Sequence, residues 1–295
     1  MFLRLLINLW RQLSILPLPW LHTIGRGLGC LYEWLPNRER RVVQINLELC
    51  YPQLTPLQRQ RMLGRVMRQL GCSLMEMSYI WFRPVEKVLA QVRGINGEEL
   101  LQRAPGQGLI VLLPHLGCWE IVGLDLPLKE QVTSLYRPPR QLLMEQLIKT
   151  SRERSGAQLV ATDAQGVKRI YQALKAGGVT CVLPDQQPPS ARASVFAPFF
   201  GIPALTMLLI QRLARKTGSK IVFAYAQRLE GGQGFHIHYL PAPDGIDDED
   251  PLVAASNLNQ GLEAVIRLCP DQYQWSYKRF RAQPDGTFSP YAEKT

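Results

Sequence analysis

Between residues 38 and 82 the apolar positions recur every three or four residues. Val42, Val43, Ile45, Leu47 and Leu49 predict a helix over 38–50, stopped by Pro52. Thr55 before Pro56 offers an N-cap with proline at the first helical position. The stripe Met62, Val66, Leu70, Leu74 and Met77 carries that second helix to about Phe82. From residue 92 the rhythm changes to short apolar runs separated by amphipathic stretches. Strands are expected at 108–113, 132–136, 158–161, 179–183, 220–227 and 235–240, and helices at about 118–126, 139–154, 164–176, 203–216 and 252–268. This alternation predicts an α/β fold with a mixed, mostly parallel sheet flanked by helices. The glycine-rich link Glu230–Gly234 joins the last two strands as a hairpin, which is why the sheet is expected to be mixed.

The first 35 residues follow neither rhythm. They are rich in Leu, Ile and Trp, interrupted by Arg4, Arg11, His22 and Arg26, and no small-residue cleavage site follows them. The cleanest apolar window, 13–24, is short for a span and holds Pro17 and Pro19. The expectation is an N-terminal helical membrane anchor over 1–35, interfacial or a single span, with Trp10, Trp20 and Trp34 at headgroup depth. A core helix is the alternative. An α/β domain would then occupy 36–295, helical through 36–90. Arg59, Arg61, Arg65 and Arg68 on the second helix form either a solvated face or a grip on anionic lipid.

Charge narrows the partners. The 295 residues carry a net charge of +10, which favours an anionic partner: nucleic acid, an acidic protein or a phosphate-bearing membrane surface. The apolar N-terminus and the lack of interleaved aromatic and basic residues argue against nucleic acid. Six cysteines are widely spaced with no C-x-x-C pair. That indicates neither a zinc site nor a disulfide framework, but reduced thiols in a cytosol-facing protein.

The candidate chemistry lies where apolar runs end. Leu109 to Leu113 is unbroken, bounded by Gly108 and Pro114, and His115 follows. Ligands in open α/β sheets sit beyond the carboxyl ends of such strands. If a helix begins near Gly117, Glu120 can fold back onto the imidazole, fixing its tautomer and leaving the other nitrogen to accept a proton from a hydroxyl. A buried histidine that bonds an acid for packing is the competing reading. Tyr136-Arg137-Pro138 and Pro184-Asp185-Gln186 close two further strands, and Arg152 and Arg154 close the helix between them. All converge on one sheet edge, and arginines beside a base suggest an anionic substrate. Cys118 is a second candidate nucleophile, though a cysteine between Gly117 and Trp119 more often packs as a small hydrophobe. His236 and His238 alternate on one strand as half a metal site, with no third ligand at suitable spacing.

At His115-Leu-Gly-Cys-Trp-Glu120 the chain resembles the H-x4-D/E motif of the glycerolipid acyltransferase superfamily. It resembles more closely the late, lauroyl/myristoyl-type acyltransferases of lipid A biosynthesis. The likeness extends through Asn46–Pro52, Tyr136–Pro138, Arg152–Ser155, Leu183–Gln186, Ser194–Gly201 and Gln272–Phe280. Leu116 and Gly117 depart from the start of the motif in many relatives. The resemblance implies transfer of a fatty acyl chain from acyl carrier protein to a hydroxyl of a lipid A precursor, at the cytoplasmic face of the inner membrane. No cofactor is implied beyond the acyl-carrier-protein co-substrate. His115 and Glu120 match the family's catalytic dyad, and Arg152 and Asp185 match positions used at its active site. Arg137 is added as a phosphate or pantetheine contact. Backbone N–H groups after Leu116 are the expected holders of the oxyanion, and the 203–216 helix the expected lining of an acyl groove. The same chemistry on a lysophospholipid, ornithine lipid or glycolipid, and a non-catalytic basic membrane-surface module, are the alternatives.

Overall fold

Two strands are buried at every position, as strands covered on both faces should be: β2 (Leu109–Leu112) and β5 (Val179–Val182). The computed structural model describes residues 2–139, 141–188, 193–284, 286 and 289–292. It sets five strands in the order β1 (Val92–Asn96), β9 (Phe235–Pro241), β8 (Lys220–Arg228), β2, β5. β8 and β9 run antiparallel, while the other three pairs are parallel. The sheet is therefore mixed and mostly parallel, with helices packed around it.

Two expected strands leave that sheet. β3 (Thr133–Tyr136) and β4 (Gln158–Ala161) pair with each other in a separate parallel ribbon, tied to β5 by a single bridge from Val132 to Val179. The helix expected over 203–216 is also shorter than its pattern suggested. β6 (Ser194–Phe199) and β7 (Ile202–Met207) form an antiparallel hairpin, and α9 begins only at Leu209, running Leu209–Thr217. The turn between Phe199 and Ile202 puts Phe200 at φ 50° and Gly201 at φ 77°. Positive φ at both central residues is what a two-residue hairpin of the right twist requires. Ala204 and Thr206 are buried at period two, not 3.6.

The N-terminal third is helical: α1 (Phe2–Leu13), α2 (Leu18–Trp34), α3 (Arg38–Cys50), α4 (Pro56–Phe82) and short α5 (Val85–Leu89). Thr55 and Gln58 form a reciprocal capping box at the start of α4. The membrane anchor expected over 1–35 is corrected here. No helix among the described residues is long and apolar enough to cross a membrane. Residues 18–34 instead form a helix seated on α4, burying Leu18, Leu21 and His22. The two backbones touch. A Cβ on Gly71 would stand 1.9 Å from the Gly25 carbonyl oxygen, and one on Gly29 would stand 2.3 Å from that of Met67. Glycine is required at these crossings because any side chain would force the helices apart. Trp10 of α1 packs edge-on against Trp81 of α4 at 5.7 Å.

The remaining helices are α6 (Trp119–Asp125), α7 (Leu142–Glu153), α8 (Ala164–Lys175) and α10 (Pro251–Leu268). Arg140, at the start of the helix expected over 139–154, lies outside the described residues. Leu112, Phe223, Ile170 and Leu262 are fully buried between sheet and helices. Each such side chain contributes about 2 kcal/mol of burial free energy, which fixes the strand ends that carry the polar residues.

Candidate active site

β2 and β5 are parallel neighbours with Leu112 opposite Val182. Each leaves the sheet through Leu-Pro and then a polar residue: Leu113-Pro114-His115 and Leu183-Pro184-Asp185. Equal offsets from paired residues bring His115 and Asp185 side by side beyond the carboxyl edge. Asp185 Oδ1 lies 2.8 Å from His115 Nδ1, and Asp185 Oδ2 accepts the His115 backbone N–H at 2.9 Å. Burial opposes ionisation of this carboxyl, but the His115 imidazole and the hydrogen bonds from His115 outweigh it and hold the group below its ordinary range. An ionised carboxylate on Nδ1 keeps the proton there, so Nε2 carries the lone pair. Gln186 Nε2 stands 3.3 Å from it.

Glu120 does not fold back onto the imidazole. Its carboxylate is clamped by Arg152, with Nη2 to Oε1 at 2.6 Å and Nε at 3.2 and 3.1 Å from the two oxygens. Trp119 sits between the pairs, edge-on to the His115 ring at 5.6 Å and beneath the Arg152 guanidinium at 4.9 Å. The five residues named from sequence thus sort into three places. His115 with Asp185, and Glu120 with Arg152, form two adjoining pairs. Arg137 is exposed beyond β3 and does not line the cavity beside His115. Arg154 donates to the carbonyls of Ile80 and Trp81 and so ties α7 to α4.

The loop carrying His115 is pinned from both sides. Gly117, at φ 61°, donates its N–H to Gln272 O at 3.1 Å, and Cys118 N–H goes to Ala226 O at 2.8 Å. A Cβ at position 117 would meet the Ala226 carbonyl oxygen at 2.0 Å, so only glycine fits. Of the N–H groups at the start of the helix after Leu116, expected as oxyanion donors, those of residues 117 and 118 are therefore already engaged. Gln274 N–H bonds to His115 O at 3.0 Å. Gln272 and Gln274, which the sequence reading used only as part of a motif, fasten the reacting loop and line the same cavity. That cavity is small, about 90 Å³, and lies between α4 and the loop, with His115, Glu120 and Cys118 on its wall. Cys118 is buried, and burial raises its thiol well above the ordinary range, which disfavours a thiolate. His236 and His238 stack on each other at 4.7 Å, and Tyr225 stacks on His238 at 4.8 Å.

One signal for Asp185 was present in the sequence. Val111-Leu-Leu-Pro-His115 and Cys181-Val-Leu-Pro-Asp185 share their Leu-Pro-polar ending. Two parallel strands with the same exit place their terminal polar residues at the same height.

Residues 2–282 match the sequence profile of a family described as bacterial lipid A biosynthesis acyltransferase. Among curated proteins the chain is 30% identical over 278 residues to a lipid A biosynthesis lauroyltransferase of Escherichia coli (strain K12), covering 94% of this chain and 90% of that one. It is also 30% identical over 286 residues to a palmitoleoyltransferase of the same strain, covering 96% and 91%. A myristoyltransferase of that strain is 24% identical over 279 residues, covering 94% and 84%.

Proposed function

The chain belongs to the bacterial lipid A biosynthesis acyltransferase family, and on that premise we propose that it moves a fatty acyl chain from acyl carrier protein onto a hydroxyl of a lipid A precursor by direct transfer. That it is an acyltransferase acting in lipid A biosynthesis follows from the family. The donor, the mechanism and the place of reaction are our reading. The observation that supports it best is the buried Asp185 carboxylate on Nδ1 of a histidine, His115, that lines the cavity, which leaves Nε2 as the basic nitrogen.

In this mechanism His115 Nε2 takes the proton of the acceptor hydroxyl, displacing Gln186. The oxygen attacks the thioester carbonyl and forms the C–O bond. The tetrahedral intermediate then expels the carrier thiolate, the C–S bond breaks, and the thiolate takes the proton back from the imidazolium. Asp185 stabilises that imidazolium and keeps the ring in one tautomer. Glu120 and Arg152, a net neutral pair, fix the guanidinium over Trp119, whose ring packs edge-on to the imidazole. Gln186 Nε2 is a donor already at the reacting position and suits the developing oxyanion. The step exchanges one acyl bond for another and moves one proton, so it asks for no redox group or cofactor. We place the reaction at the cytoplasmic face of the inner membrane, where a soluble carrier protein and a lipid acceptor meet. The six cysteines, all unpaired in the structure, suit that side.

The test is turnover by purified protein with acyl-carrier-protein thioesters and lipid A precursor, read by mass. The expected product is heavier by one acyl group, and no acyl-enzyme accumulates when donor is supplied alone. An acyl adduct trapped on Cys118 would overturn direct transfer.

A further inference from the structure

The cavity beside His115 is too small to hold a hydrocarbon chain. At about 90 Å³ it has room for about three waters. The chain that carries the reacting hydroxyl must lie elsewhere, and the surface next to this cavity offers a place. Leu70 of α4 lines the cavity and also lines a groove of about 470 Å³ between α2 and α4. The groove exists because Gly29 and Gly71 let the two helices approach so closely. Five leucines dominate its walls, and the Glu39 carboxylate at its rim is taken up by the Tyr32 hydroxyl at 2.6 Å. Four of the leucines stand open to solvent: Leu31 is 62% exposed, Leu35 51%, Leu28 and Leu74 each 43%. Large apolar side chains ranged along a concave surface mark a place where hydrocarbon is received.

The segment after Gln272 links this groove to a third compartment. Gln274 lines the catalytic cavity, Ser276 the apolar groove, and Lys278 a basic hollow of about 750 Å³ shared with Arg38, Arg40 and Arg41 at the start of α3. Asn46 Nδ2 holds the segment in place through the carbonyls of Trp275 and Tyr277, at 2.6 and 2.9 Å. Among the described residues Arg40 Nε is buried without a hydrogen-bond acceptor, as are Arg154 Nε and Arg279 Nε elsewhere. What sets Arg40 apart is that it lines a hollow with Arg38, Arg41 and Lys278, where an anion meets several cations at once.

We propose that the α2–α4 groove seats the hydrocarbon of the phosphorylated lipid acceptor while the Arg38–Arg40–Lys278 hollow takes its phosphate. The proposal rests on the lipid acceptor assigned above. The exposure of the leucines along the groove selects the acceptor over the carrier-borne donor, because it suits a chain still attached to a lipid lying on the surface.

Steady-state assays of the full chain test it, using lipid A precursor in detergent with its phosphates intact or removed. Leu31→Glu and Leu74→Glu alter side chains that are already exposed, so the fold tolerates them. Each is expected to raise the acceptor KM about tenfold while leaving the donor KM unchanged. Arg38→Ala/Arg40→Gln/Lys278→Ala is expected to raise the acceptor KM about tenfold for the phosphorylated precursor and to leave it unchanged for the dephosphorylated one. Circular-dichroism melts confirm that each variant is folded. A rise in donor KM would instead make the hollow a carrier-protein dock. Equal effects on both precursors, or none, would remove the phosphate site. Loss of binding to phospholipid vesicles with acceptor KM unchanged would make the face a general lipid surface. Each of these results overturns the seat. If the wild-type chain itself acylates no such precursor, the assigned acceptor fails, a result distinct from a variant that matches wild type.

Discussion

Among the described residues two histidines stand on carboxylates, and they differ in how they are placed to react. His115 Nδ1 meets Asp185 at 2.8 Å, and the His115 side chain keeps 16% of its surface open to a cavity. His22 Nε2 meets Glu76 at 2.6 Å, and both of those side chains are almost wholly buried. The distances do not separate the two pairs. What surrounds them does. Glu76 is also gripped by Arg228, whose Nη2 lies 2.6 Å from Oε2. The same guanidinium reaches Gln69 and Ser73 and approaches the Gly117 carbonyl at 3.4 Å. The charge on Glu76 is thus spent on a permanent partner, and His22 closes the remaining side of a buried cluster between α2, α4 and β8, whose Gln69, Ser73 and Glu76 reach the far wall of the same cavity. Among the described residues Asp185 has no cation as a hydrogen-bond partner; the buried Arg279 acts on it only through its field, and the group its carboxylate bonds is His115. A histidine–carboxylate pair is placed to act as a base when the acid is not held by a stronger partner and the ring stays within reach of a substrate.

Substitution should separate the two pairs along different axes. The largest effect is expected at His115→Ala. Loss of a general base costs about 10²–10⁴ in rate, so turnover should fall by about a thousandfold with the thermal midpoint little changed. Next comes Asp185→Asn, which leaves the ring in place but no longer favours the reactive tautomer. About a hundredfold loss in kcat with a nearly constant KM is expected. Equal activity of Asp185→Asn and wild type, beside an inactive Glu120→Gln, would return the role of orienting acid to Glu120. The buried cluster should show the opposite pattern. Glu76→Ala strands the Arg228 guanidinium and should cost about 3–5 kcal/mol in urea unfolding. A variant that remains folded at low temperature should keep most of its kcat.

How much of this was visible beforehand depends on whether local pattern or tertiary pairing decides. The helix at Pro56–Phe82, announced by its cap and its stripe, and the buried strands at 109–112 and 179–182 follow from local pattern. The hairpin over 194–207 was missed because Phe200 takes a positive φ that its side chain does not advertise. The N-terminal helices were misread as an anchor because leucine and tryptophan look alike to a periodicity argument whether they face lipid or α4. Gly25 and Gly29 were the signs of a tight helix crossing. At the site, spacing alone pointed to Glu120. The acid on the imidazole is set by the β2–β5 register, a tertiary fact that the repeated Leu-Pro exits only hint at. Whether Glu76 or Asp185 is the isolated acid could not be read at all, since Arg228 lies 152 positions from Glu76 in the chain.

Acid titration gives a finer and smaller test of the same contrast. Burial would push the Glu76 carboxyl up, but the charge and hydrogen bonds of Arg228, with His22 adding to them, carry it down to about 2 from an ordinary 4.5. A carboxyl whose folded value is depressed contributes stability above its unfolded value, and that contribution is lost as pH falls toward the folded one. The Glu76 contribution should therefore be complete above pH 4.5 and should erode between pH 4.5 and about 2. Asp185 is depressed as well, so its contribution has the same sign and begins to fade below about pH 3.9. Urea midpoints measured against pH should fall in this acid range for wild type. The slope should be shallower for Glu76→Gln, which removes the titrating group while keeping its shape, and only slightly shallower for Asp185→Asn. Parallel slopes for wild type and Glu76→Gln would mean that the buried cluster does not hold its proton-free state through Arg228. The contrast between an acid held by a guanidinium and one that bonds only the imidazole would then lose its electrostatic basis.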